Sequence, residues 1–270
     1  MKQLCLILIL LITHFVNAQG YNSFGARFSS MGNAVVTMED VWSYHHNPAG
    51  TAAVKSFSAG VSYENRFLLR ELQSQGIAIA IPLKVGVISA GAQLYGSRIY
   101  RSQKIGVGYA MKLAEKFYAG VQINYQGIVL SDYYGRKNTV TAEAGVIGYL
   151  TDNWRIGASV QNIGRAKLSA YEDDRFSTIF RLGTSYHLKK VLFAFEIEKD
   201  IDYKLRPKVG VEYQPINNFY FRFGAGYNPV DLAFGFGYKW KWIQLDLGSA
   251  YTQILGFSPH FSLTYSMKEK

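Results

Sequence analysis

From about Ser56 to Met267 the chain alternates apolar and polar residues with a period of two. Val61 and Tyr63 oppose Gly60, Ser62 and Glu64; Phe117, Ala119, Val121, Ile123 and Tyr125 oppose Gly120, Gln122 and Asn124; Phe219, Phe221, Phe223, Ala225 and Tyr227 oppose Arg222, Gly224 and Gly226. A helix cannot bury such a stripe, because its faces repeat every 3.6 residues. The beat predicts about fourteen strands of about ten residues, long enough to cross a bilayer when tilted, and an even number suits a bacterial outer-membrane barrel. They fall at roughly 56–66, 72–82, 84–96, 102–114, 116–130, 138–150, 153–163, 176–188, 190–199, 205–214, 218–227, 231–239, 241–251 and 257–267. The expected fold is all-β, a transmembrane antiparallel β-barrel.

The connections alternate in length. Leu83, Glu115, Thr151-Asp152, Lys189, Pro215-Ile216-Asn217 and Trp240 mark tight turns. Longer loops are expected around Phe67–Glu71, Gly96–Arg101, Ser131–Lys137, Gly164–Arg175, Asp200–Lys204, Asn228–Val230 and Thr252–Gly256. Barrels of this class keep short turns at the periplasm and longer loops outside, so strand one should run outward and both termini should be periplasmic. A soluble β-sandwich gives no reason for two loop classes in strict alternation.

Ahead of the beat lie two segments of different character. Lys2, the apolar run Leu4–Val16 and the small-residue ending at Ala18 read as a cleaved secretory signal over residues 1–18. Residues 19–55 lack the strand pattern, and Gly20, Gly25, Gly32 and Gly50 suit a compact irregular plug, on the periplasmic side or inside the lumen, ahead of a barrel over 56–270. The one cysteine, Cys5, lies in the signal, so disulfides and thiolate metal sites are excluded from the mature chain.

Composition sharpens the picture of two faces. Apolar residues make up 49% of the chain, yet mean hydropathy is near zero, as expected where one strand face meets lipid and the other a polar interior. The net charge of +10 gathers in turns such as Lys189-Lys190 and Lys239/Lys241, which suits rims beside anionic headgroups rather than nucleic acid. Trp154, Trp240, Trp242, Tyr213 and Tyr265 fall at strand ends as girdle residues.

The inward phase carries glycines at 106, 108, 120, 145, 157, 183, 210, 224, 226, 235 and 237, which make room for something. In the same phase stand Glu143, Arg155, Arg181, Glu196, Arg222 and Asp246, together with Glu198, Arg206, Lys208, Glu212 and Lys239. Charges inside a barrel cost far less than charges facing lipid, so these are expected to pair there or to hold polar groups of the plug.

Within the plug, Gly25-Ala26-Arg27-Phe28-Ser29-Ser30-Met31-Gly32-Asn33-Ala34 is followed by Asp40-Val41-Trp42 and by His45-His46-Asn47-Pro48-Ala49-Gly50. This series resembles the N-terminus of the FadL-type outer-membrane transport family, and most of all its PorV/PorQ-like members in Bacteroidota, accessory barrels of type IX secretion. The resemblance implies a fourteen-strand barrel with an N-terminal hatch, Asn47-Pro48-Ala49 being the turn where hatch meets wall. Physically, Asn before Pro is an extended, turn-initiating pair, and Ala49 and Gly50 allow close approach to the wall.

No constellation for catalysis or cofactor binding stands out. The mature histidines His45, His46, His187 and His260 share no strand face with a serine and an acid, and no metal or cofactor is expected. Tyr171-Glu172-Asp173-Asp174 lacks the spacing of a calcium loop. Two non-enzymatic readings follow. One is an accessory or scaffold subunit of an envelope assembly such as type IX secretion, partnered by other envelope proteins and outer-membrane lipid. The other is a FadL-like passive channel for small hydrophobic molecules.

Overall fold

The computed structural model describes residues 24–130, 135–167 and 175–268. The expected signal, the start of the plug at 19–23 and the Tyr171–Asp174 stretch lie outside the described residues.

Fourteen antiparallel strands close into one barrel. They are β1 Ser58–Asn65, β2 Gln73–Pro82, β3 Val87–Gly96, β4 Tyr100–Ala114, β5 Phe117–Leu130, β6 Arg136–Tyr149, β7 Trp154–Gln161, β8 Ile179–Leu188, β9 Val191–Asp200, β10 Arg206–Tyr213, β11 Phe219–Gly226, β12 Asp231–Trp240, β13 Ile243–Thr252 and β14 Gly256–Ser266. The seam is made by β1 and β14, with Val61 opposite Leu263 and Ser62 opposite Ser262. Closure leaves no free edge for other chains to add to.

Side chains alternate across the wall. On β11, Phe221 and Phe223 are 48% and 65% exposed on the outer face while Arg222 between them is 1% exposed. Leu182, Phe193, Phe195, Val209, Phe234 and Phe236 continue the outer apolar band, far more apolar surface than a water-soluble barrel could leave bare, and the surface that hydrocarbon covers. No helix among the described residues is long and apolar enough to cross a membrane.

Turns join even strands to the next odd strand, and several are as short as Glu115–Lys116, Lys189–Lys190 and Lys241–Trp242. Lys189 and Lys241 take positive φ to close such reversals. Two positions differ from the sequence expectation. The β2–β3 turn spans 83–86, because Gly86 at φ +75° supplies the bend, and Trp240 ends β12 while the turn falls on the next two residues. Trp154, Trp240, Trp242, Tyr213 and Tyr265 all lie exposed at this end of the barrel.

The apolar core is inside the barrel, not between layers. Phe24, Phe28, Met31, Val41, Trp42 and Tyr44 pack with Ala78, Ala80, Val87, Leu192 and Ala194 of the wall's inner face. The N-terminal segment therefore packs against the inner face of the wall, toward the tight-turn end in particular, where Glu39, Arg27 and Trp42 reach Arg155, Glu212 and Thr264 beside Trp154, Tyr213 and Tyr265. It contains a short helix, α1 Ala26–Ser30, and two 3-10 turns, Val41–His45 and Pro48–Ala53. This is more regular structure than the glycine content suggests, since Asp40 and Asn47 each cap the turn that follows through their own side chains.

Candidate functional site where the N-terminal segment meets the wall

Glycines on strand after strand receive the segment. A Cβ at Gly60 would stand 2.5 Å from the Trp42 ring, at Gly91 2.5 Å from Tyr44, at Gly120 2.6 Å from Pro48 and Ala49, at Gly157 2.8 Å from the Val36 carbonyl, and at Gly210 2.6 Å from the Met31 carbonyl. The space left by the inward glycines is thus occupied by this chain's own N-terminus. Gly226 and Gly237 differ, since they make room for the Arg206–Asp231 and Arg222–Asp246 pairs. Gly106 and Gly108 face Asn124 and Ser89 of neighbouring strands.

Charges fasten the α1 side. Arg27 donates to both carboxylate oxygens of Glu212, at 2.9 and 2.8 Å, and to Asp40 at 2.8 Å. Arg222 donates to Glu212 at 2.5 Å and to Asp246 at 2.7 Å, so five alternating charges run from segment to wall. A second cluster forms on β8–β10. Arg181 and Lys208 each reach Glu198 at 2.8 Å, Lys208 reaches Glu196 at 3.1 Å, and the other oxygen of Glu196 accepts the backbone N–H groups of Val35 and Val36 at 2.8 Å. Paired in this way, buried charges avoid the penalty of isolated ones. Arg155 pairs with Glu39 at 2.8 Å. Glu143 stands apart from the segment's charges, held by Lys104 at 2.5 Å and Asn124 at 2.9 Å. Lys239 lies exposed at the end of its strand, in the inward phase but beyond the packed interior. The motif that contains Arg27 gives no sign of its charge partners, and Lys104 escapes the alternation pattern although it stands in phase with Gly106 and Gly108.

The Asn47–Gly50 step fastens the other side. Asn47 donates to the Val36 carbonyl at 2.6 Å and to the Val146 carbonyl of β6 at 3.2 Å, and its oxygen accepts from Ala49 at 3.1 Å. His46 offers its carbonyl to Ser159 at 3.0 Å. A side chain at Gly50 would collide with Ser43 and the Met38 carbonyl. Gly25 and Gly32 sit at φ +84° and +61°, the left-handed region that glycine adopts without strain.

The histidines serve this packing. His45 bonds Gln93 at 2.6 Å amid Phe24, Tyr44 and Trp42. Burial holds both His45 and His46 well below the ordinary imidazole pKa, hence neutral. Residues distant in sequence do bring Ser62 and His260 within 2.7 Å. That hydroxyl also accepts the Gly25 N–H at 3.2 Å, both side chains are buried, and the neighbouring Glu64 turns to Arg66 at 3.4 Å. The pair holds the segment against the seam. Among the described residues no group of three or more His, Cys, Asp or Glu is placed to hold a metal ion.

On the outer face of the same wall lies an apolar groove of about 610 Å3. Two outward rows flank it, Ala119–Val146–Ala158–Leu182–Ile197 and Val121–Ala144–Val160–Phe180–Lys199, each following direct cross-strand partners from β5 to β9. Its floor is the backbone of the inward row Gly120–Gly145–Ser159–Arg181. Residues His46 to Ala49 run along the inner side of that same row. One sheet thickness separates the segment from hydrocarbon here.

No family model matches the chain, and no curated protein matches it in sequence. Solved structures do. The chain is similar to the CymD monoaromatic hydrocarbon channel, with TM-score 0.70 and 14% identity over 93% of this chain and 99% of that one. It is similar to the toluene transporter TodX of Pseudomonas putida, with TM-score 0.63 and 13% identity over 93% and 98% of the two chains. A FadL homologue of Pseudomonas aeruginosa matches with TM-score 0.66 and 10% identity over 92% and 99%. At these identities the likeness is one of fold, the FadL-type barrel.

Proposed function

We propose that this protein is a non-enzymatic, FadL-like passive channel of the outer membrane for small hydrophobic molecules, with the N-terminal segment as its plug. The observation that supports it is likeness over nearly the whole chain to barrels that are channels for monoaromatic hydrocarbons and toluene. The packing agrees, because residues 24–54 meet the inner face of the wall as one small element that could move. Export and cleavage after Ala18 would deliver the chain to the outer membrane. A disulfide between Cys replacements of Ala26 and Ser262 tests it, since the Ala26 amide donates to the Ser262 hydroxyl at 3.0 Å and both positions already carry a Cβ. Toluene should enter cells at the wild-type rate when this pair is reduced and at the rate of barrel-free cells when it is oxidised. Entry at the barrel-free rate even for the wild type would overturn the reading.

A second reading, a PorV/PorQ-like scaffold subunit of an envelope assembly such as type IX secretion, draws on the Asn47–Gly50 step and on the density of buried ion pairs, which suits a plug that never moves. Partner proteins recovered with the barrel from native membranes in mild detergent would support it. A lone barrel from those membranes would count against it.

A further inference from the structure

We propose that the outer groove across β5–β9 is a binding site for one membrane lipid, with an acyl chain along its floor and an anionic phosphate headgroup at Lys199. Such a site is separate from the passage of cargo and independent of how the plug behaves.

Shape is the first argument. The groove crosses five strands, about 19 Å at the spacing of neighbouring strands, and it is narrow, bounded by rows two residues apart. Adjacent outward rows on any sheet leave a furrow, but here Ala119, Ala144 and Ala158 lower its banks on three successive strands, and Gly120 and Gly145 put bare backbone beneath. A linear hydrocarbon chain fits that form better than a flat ring does.

Direction is the second. Ala119 lies near the tight-turn end of β5, and Lys199 lies one residue from the opposite end of β9. The groove therefore climbs across the membrane and ends at the outer interface, where headgroups lie. Strands tilted by about 35–45° set it obliquely to the bilayer normal, within the range of a bent acyl chain.

Charge is the third. Two cations line the groove: Arg181 lends it floor backbone while its side chain turns inward to Glu198, and Lys199 stands on the outward phase of β9, where Phe193, Phe195 and Ile197 precede it. Its ammonium is turned to the interface by bonds to the carbonyls of Ile201, at 3.3 Å, and Tyr203. An ammonium has three donors, so a headgroup phosphate can take the third, and the fixed positive charge favours it over a neutral headgroup.

The test uses the full barrel in detergent, titrated with bis-phosphorylated lipid A and read by native mass spectrometry. Wild type should retain one lipid, and Lys199→Gln should weaken retention about fivefold, the worth of one basic residue at an anionic lipid surface. Ala144→Leu/Ala158→Leu should weaken it at least as much by filling the floor, and both replacements face hydrocarbon, so the barrel should keep its heat-modifiable mobility. Dephosphorylated lipid A should bind the wild type as weakly as lipid A binds Lys199→Gln. Equal retention by all three proteins would overturn the proposal. So would displacement of the lipid by equimolar palmitate, which would make the groove a cargo site. Toluene entry should be unchanged in Lys199→Gln, which keeps this outcome distinct from failure of the channel reading.

Discussion

The two halves of the lumenal segment are held by different physics. Ala26–Val36 lies against β8–β14 and adds charge to its glycine notches, with Arg27 on Glu212 and the Val35 and Val36 amides on Glu196. Val41–Ala53 lies mainly against β1–β6 and is fixed by shape, with Trp42 in the notch at Gly60, Tyr44 at Gly91 and Pro48-Ala49 at Gly120. A charged contact fails all at once, because removing one member strands the rest in a dry interior. A shape contact fails in proportion to the volume removed. The first half is the natural point of release and the second the natural hinge.

Glu212→Ala should have the largest effect. It leaves Arg27 and Arg222 without their shared carboxylate, and breaking such a buried pair costs about 3–5 kcal/mol. Trypsin added to the purified barrel should then cut after Arg27, which is half-buried and held on Glu212 and Asp40 in the wild type, while the barrel band persists. Continued resistance at Arg27 would place the fastening elsewhere. Phe223→Arg should cost about 2–4 kcal/mol if the site lies near the bilayer midplane, and it should impair insertion of the wall while the segment's protection in inserted molecules stays unchanged. Trp42→Leu should cost about 2 kcal/mol, seen as faster amide exchange confined to residues 41–53. Exchange spreading to 26–36 would mean that the halves move as one body. The smallest effect concerns orientation. Because the one cysteine, Cys5, lies ahead of the barrel, Ile254→Cys should react with a membrane-impermeant maleimide on intact cells and Asp152→Cys should not, and the reverse labelling would invert the barrel.

Strands, their number and their facing were legible because alternation is written locally in each segment. Tight turns were legible to within a few residues, and Leu83 shows why not better: the bend belongs to Gly86, whose left-handed φ no alternation reports. The inward glycines leave room that residues of the N-terminal segment take, and Asn47 donates to the Val146 carbonyl of β6. Partnerships were not legible. Arg27 and Glu212 are brought together only by closure of the barrel, and Ser62 meets His260 because the first and last strands pair. Lys239 shares the phase of Gly235 and Gly237 yet lies exposed, because phase fixes a side and not a depth. The outer groove was invisible for a similar reason, since its banks are rows across strands and no single segment contains one.

The seam has a consequence for biogenesis. The Ala26 amide donates to the Ser262 hydroxyl, across 236 positions of sequence, and the Gly25 amide donates to Ser62 on the strand that pairs with β14. Residues exported first thus depend on residues exported last. Until β14 arrives, the Ala26 amide has no hydroxyl to meet and the cradle is incomplete, so the segment cannot seat fully before the end of its own polypeptide. Contacts this far apart in sequence make assembly slow, and they make the last strand the step that both closes the wall and seats what lies inside it.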